Sequence, residues 1–175
     1  MEKNWEETRK LAMEYAEDNM RNRGMNCSES VFEALIRCGA IDAPLDAVAY
    51  ATGFGGGGGG VGYTCGALAS AILANSMVHG RKNPWTSANR MELKEKYYQR
   101  FNNLVSDFVK AAGSGLCREI VNAFPEGYSD SQTRPNCIRI ATEAAGLAVD
   151  YIKMDAGEAA SLQYDRAVVG TKNWF

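Results

Sequence analysis

Histidine is nearly missing: one residue in 175, which leaves Ser-His-Asp catalysis with little support. A strong charge of one sign is missing too, since 19 basic and 21 acidic side chains leave a net charge of −2. That balance excludes electrostatically driven binding to nucleic acid or to acidic membranes. Bulky apolar residues are scarce, with Leu, Ile, Val and Phe at 33 of 175 positions. Scarcity of this kind accompanies disorder only when net charge is high, and here it is low. The N-terminus has no basic stretch followed by an apolar run, so no secretory signal is expected. The most apolar stretch, Ala67 to Val78, contains Ser70, Asn75 and Ser76 and is too short to span a bilayer. Five cysteines are too few for a disulfide-stapled secreted scaffold, and a chain of this length builds a core without staples. No Cys-x-x-Cys pair occurs, which excludes a zinc ribbon or a thioredoxin-type motif. The expectation is a cytoplasmic protein with reduced thiols, no nucleic-acid partner and no membrane insertion.

Small residues are abundant, with 24 Ala and 18 Gly, and closely packed helices are their natural use. Apolar positions recur at helical spacing and no segment alternates convincingly, so the pattern predicts an all-α fold. The chain, residues 1–175, reads as a single-domain helical bundle. Helices are expected from Trp5 to near Gly24, from Asn26 to Cys38, from Pro44 to Thr52 and from Thr64 to His79. Others are expected from Ser87 to Gly113, from Cys117 to Phe124, across Ile138–Ile152 and from Ala156 to Ala167. Between the third and fourth lies Gly53-Phe54-Gly55-Gly56-Gly57-Gly58-Gly59-Gly60-Val61-Gly62, eight glycines in ten positions. Directly ahead of a small-residue helix and free of Ser, Pro and charge, the run predicts a packed or functional loop rather than a linker.

Four cysteines fall at predicted helix starts. Cys27 follows Asn26, with Glu29 completing a capping-box pattern. Cys65 opens the helix that leaves the glycine loop, Cys117 follows Ser114-Gly115-Leu116, and Cys137 follows Pro135-Asn136. The free N–H groups and dipole of a helix N-terminus favour a thiolate, which is the species that attacks disulfides and ligates metals. Lowered thiol pKa values are therefore expected at all four. Cys38 lies at a helix C-terminus, where the dipole disfavours a thiolate, and is assigned to packing.

Asn26-Cys27-Ser28-Glu29-Ser30-Val31, Gly53-Phe54-Gly55-Gly56-Gly57, Cys65-Gly66-Ala67, Cys117 and Cys137 together resemble the C_GCAxxG_C_C family, to which a redox role is assigned. The likeness runs from about Asn26 to Ile152, leaving 153–175 as a C-terminal extension. It implies four functional cysteines and a Cys-Gly-Ala-x-x-Gly pattern whose last Gly is Ser70 here. A related domain occurs in the split-Soret cytochromes, which carry haem and an iron–sulfur centre. Without Cys-x-x-Cys-His, covalent haem attachment is not expected. The iron–sulfur part of the analogy transfers only onto Cys27, Cys65, Cys117 and Cys137.

Three functions are consistent with these residues. In the first, the four cysteines bind an iron–sulfur cluster or another thiolate-held metal, with Gly55, Gly56, Gly57 and Gly66 wrapping it. In the second, Cys65 attacks and Cys27 resolves in thiol–disulfide exchange. In the third, the glycine loop cradles phosphate or a nucleotide, although it follows no strand and has no P-loop Lys. The redox partner is not identified by any residue pattern. His79 reads as a helix-end cap, and the terminal Trp174-Phe175 suggests a homo-oligomer contact.

Overall fold

A computed structural model describes residues 3–86, 89, 91–124 and 130–166. The chain is all-α, and no strand occurs among the described residues. In order, α1 is Trp5–Asn22, α2 Cys27–Arg37, α3 a four-glycine turn Gly55–Gly58, α4 Gly66–His79, α5 Tyr98–Ala112, α6 Cys117–Asn122, α7 Asp130–Lys153 and α8 Ala156–Ser161. Short 3-10 turns cover Leu45–Tyr50, Thr52–Phe54 and Pro84–Thr86.

Helices α1, α2, α4 and α7 pack on one another, and α5 closes against α7. Alanine lines these contacts: Ala12 and Ala16 on α1, Ala34 on α2, Ala67, Ala71 and Ala74 on α4, and Ala141, Ala145 and Ala148 on α7 are all fully buried. Small side chains let helix axes approach closely, so a modest set of larger residues suffices to fill the interior. Phe32, Leu35, Leu104, Val31 and Val149 are the largest fully buried apolar side chains. Gly146 marks a close approach of α7 to α1, where a Cβ would stand 2.8 Å from Met13 Sδ.

Helix ends follow local chemistry. Asn26 caps α2 through both halves of a capping box, accepting from the amides of Ser28 and Glu29 while Glu29 accepts from Asn26 N–H. Gly113 ends α5 in the left-handed region at φ +85°. The expected Ser87–Gly113 helix is shorter, because a π-helical turn, Leu93–Tyr97, leads into α5. Pro44–Thr52 forms 3-10 rather than α turns. The end of α8 comes early, since Leu162 is extended and the following residues are drawn along α5 by Asn102 and Asn103. Ser87, Ala167 and Trp174-Phe175 lie outside the described residues.

The far end of α7 is capped by other helices. Buried Arg100 donates to the carbonyls of Tyr151, Met154 and Asp155, and His79 Nε2 contacts Ile152 O at 2.8 Å. Cationic and N–H groups there satisfy orphan carbonyls and complement the helix dipole. His79 is thus a helix-end cap, as expected, though of a neighbouring helix. Burial first, then Arg100, holds its pKa below the usual histidine value.

Candidate four-cysteine site

The glycine turn α3 touches α2, α4 and α6, the helices that carry Cys27, follow Cys65 and begin with Cys117. Backbone pairing assembles the group. Thr64 and Leu116 form an antiparallel bridge, flanked by Cys65 N–H to Gly115 O at 2.9 Å and Cys117 N–H to Tyr63 O at 2.6 Å. Segments fifty residues apart in the chain are thereby joined, with Cys65 and Cys117 flanking one antiparallel bridge. Cys27 is brought in by its cap: Asn26 Nδ2 donates to Thr52 O and Thr52 Oγ1 donates to Glu29 Oε1, tying α2 to the residues just before the glycine run.

Two glycines are required by close approach. A Cβ on Gly57 would stand 2.7 Å from both Cys117 Cβ and Tyr63 N, and the residue sits at φ +74°. A Cβ on Gly66 would stand 2.8 Å from Cys27 Sγ and from Phe54 O. Gly55 presses on the Asn26 cap, and the amide of Gly56 reaches the Cys27 sulfur. The glycine run is an ordered turn, with five consecutive positive φ values from Gly56 to Gly60.

The sulfurs lie among backbone amides. The amides of Gly56, Ala67 and Ser28 lie near enough to Cys27 to favour its charged form, as do those of Leu68 and Ala67 at Cys65, although the Ser28 N–H is bonded to Asn26 Oδ1. Ala67 and Leu68 belong to the first turn of α4, whose N–H groups have no intrahelical acceptor. The thiols also sense one another: Cys65 is affected by Cys27 and Cys117, Cys117 by Cys27, and Cys137 by Cys27 and Cys117. All five cysteines are free thiols.

Two expectations are corrected. Cys137 does not begin a helix, because α7 starts at Asp130 and runs through Pro135, placing Cys137 in its interior. Pro135 marks no boundary; Arg134 anchors this part of α7 by donating to Met20 O at the end of α1. Nor are the thiol pKa values lowered. Burial pushes all of them up, Cys65 to about 12 and Cys137 to about 11, and at Cys27 it outweighs the amide donors. A thiolate in low-dielectric surroundings is disfavoured until a positive charge compensates it. Among the described residues, no three His, Cys, Asp or Glu side chains stand in a metal-holding arrangement.

The profile of the family described as "Putative redox-active protein (C_GCAxxG_C_C)" matches residues 25–151. The chain belongs to this family. No curated protein and no solved structure matches it. The family match spans all four cysteines and stops at the end of the α7 core, before α8. Ser70, where the pattern noted above has Gly, is fully buried against α2. Cys38, also within the matched span, donates to Leu35 O at the end of α2, and none of the four other thiols is among the causes of its shift.

Sequence patterns did not single out the amides of Ser28 and Ala67, although each lies within two residues of a cysteine or of Gly66. A helix's first-turn amides could have been anticipated as sulfur donors; which sulfur they meet depends on helix packing. The amides of Gly59, Gly60, Val61, Gly62 and Tyr63 donate to carbonyls within the loop and are not available to an anion. No helix among the described residues is long and apolar enough to cross a membrane.

Proposed function

We propose that Cys27, Cys65, Cys117 and Cys137 hold an iron–sulfur cluster or another thiolate-bound metal and that the protein transfers electrons through it. The observation that carries this reading is the joint burial of mutually interacting thiols whose charged forms need a compensating cation. The donor set suits the group: sulfur ligands, amide N–H groups near Cys27 and Cys65, and glycine backbone at positions 57 and 66 where any Cβ would crowd the sulfur-bearing residues. A bound cluster supplies one-electron chemistry, and hydrogen bonds to its sulfurs tune the potential.

The chain's own contributions follow from the fold. At Cys27 burial raises the thiol pKa, and nearby amides work in the opposite direction by favouring the charged form. Cys65 and Cys137 are the most strongly biased toward the thiol, so as ligands they would have to give up their protons to a bound cation. Cys27, Cys65, Cys117 and Cys137 would hold such a group only if their side chains drew closer together, since no three of them stand in a metal-holding arrangement among the described residues. Anaerobic reconstitution with ferrous iron and sulfide tests the proposal. The expected result is visible charge-transfer absorption with bound iron, lost in Cys27→Ala and kept in Cys38→Ala; colourless, iron-free protein would overturn it.

A dithiol function of Cys65 with Cys27 is the second reading, favoured by Gly66 bringing the Cys65 segment onto Cys27 Sγ. Burial weighs against it, since attack requires the thiolate. Counting free thiols after oxidation and after reduction decides: an unchanged number removes this reading.

A further inference from the structure

Ser28 and Ser70 are both fully buried and face each other between α2 and α4. Ser70 Oγ donates to Ser28 O at 2.8 Å, and the two hydroxyl oxygens lie 2.7 Å apart. Each hydroxyl has one hydrogen. With that of Ser70 used on the carbonyl, Ser28 must donate to Ser70. The two hydroxyls thus form a directional link from the second turn of α4 to the first turn of α2.

Both ends of this link lie near the Cys27 sulfur, one through the chain and the other through the first turn of α4. Ser28 follows Cys27, and its amide is one of those that favour the charged sulfur. Ala67, three residues before Ser70 and so on the same face of α4, supplies another. Between them Gly66 leaves no slack, since its Cβ position is 2.8 Å from Cys27 Sγ and 3.1 Å from Ser28 Cβ. A small slide of α4 along α2 would either draw the first turn of α4 away from the sulfur or drive Gly66 into it.

We propose that Ser70 is a positioning residue for Cys27: its hydroxyl fixes the register of α4 on α2, and thereby keeps the first turn of α4, with Gly66, seated against the Cys27 sulfur. The proposal deepens the reading of Cys27 as a ligand and rests on it. A hydroxyl that only satisfied a buried neighbour would stabilise the fold as a whole without acting selectively on this sulfur.

Amide hydrogen exchange in the metal-free protein separates the two. In Ser70→Ala, which removes the hydroxyl with little change in volume, exchange at Ala67 and Ser28 should accelerate about tenfold, the effect of losing one buried hydrogen bond. Exchange at Ala148 in α7 should stay within about twofold, as local rather than global opening requires. Ser70→Thr, which keeps the hydroxyl, should restore slow exchange at Ala67. Ser28→Ala is the second variant should Ser70→Ala fail to fold, with the same expected pattern. In cobalt-loaded protein, Ser70→Ala should also shift the thiolate-to-cobalt charge-transfer bands, and Ser70→Thr should return them. Equal acceleration at every amide, or none at Ala67, overturns the proposal. If the unsubstituted protein binds no cobalt, the ligand reading fails and the exchange data still decide the role of Ser70 in holding the register.

Discussion

Gly57 and Gly58 are adjacent residues of the same turn, both at positive φ, +74° and +89°, yet their surroundings differ. A Cβ on Gly58 meets nothing within 4 Å, whereas one on Gly57 meets Cys117 Cβ and Tyr63 N at 2.7 Å and Gly62 C at 2.8 Å. Alanine at either position incurs the left-handed penalty of about 1–2 kcal/mol. Only Gly57→Ala adds overpacking against backbone that is itself hydrogen-bonded, about 1–3 kcal/mol more. Urea unfolding of the metal-free protein, comparing both variants with the parent, measures the difference directly. In thermal unfolding the same gap corresponds to roughly 2–4 °C per kcal/mol for a chain of this size. Gly57→Ala should be the less stable of the two and should also lose reconstituted iron, while Gly58→Ala retains it. Equal stability of the two variants would refute the claim that the glycine turn is pressed against Cys117.

The stability of the metal-free protein should fall as pH rises from the ordinary thiol range, near 8.5, toward about 12. Buried thiols keep their protons in the fold and lose them on unfolding, so alkaline pH favours the unfolded chain. Replacing Cys65 and Cys137 together by Ala should flatten that slope in pH-dependent urea titrations. Arg100→Met should cost about 2–4 kcal/mol in unfolding measurements, because it strands carbonyls of Tyr151, Met154 and Asp155 at the end of α7; Arg100→Lys should recover little, lacking the forked geometry. Asn26→Ala should remove about 1 kcal/mol through loss of the α2 cap, and Asn26→Asp should retain most of it in the same assay.

The all-α class was legible because alanine at helical spacing has no better use than close helix contacts, and α1, α2, α4 and α7 use it in that way. Asn26 with Glu29 announced α2 to the residue, since capping chemistry is local. Cys137 was misplaced for the converse reason: Pro135-Asn136 carries a start signal, but α7 continues through it because Arg134, Ile138 and Ala141 are held by tertiary contacts. A common pocket for Cys27, Cys65, Cys117 and Cys137 was an expectation that local patterns cannot decide, since the Thr64–Leu116 bridge that links the Cys65 and Cys117 segments is a long-range pairing with no local signature. Thiol acidity was misjudged because a dipole can be read from a position in a helix, whereas depth of burial depends on every neighbour. The same limit applied to Ser70, whose role depends on Ser28 lying opposite it.

A chain of L-residues here reverses its screw sense for five residues, from Gly56 to Gly60, and then resumes the usual one. Mirror-image building blocks suit that stretch. A D-alanine introduced by chemical synthesis at position 58 would adopt the required dihedrals without strain and would restrict the unfolded chain more than glycine does. Part of the entropy that makes a polyglycine segment costly to order is therefore recoverable at that residue.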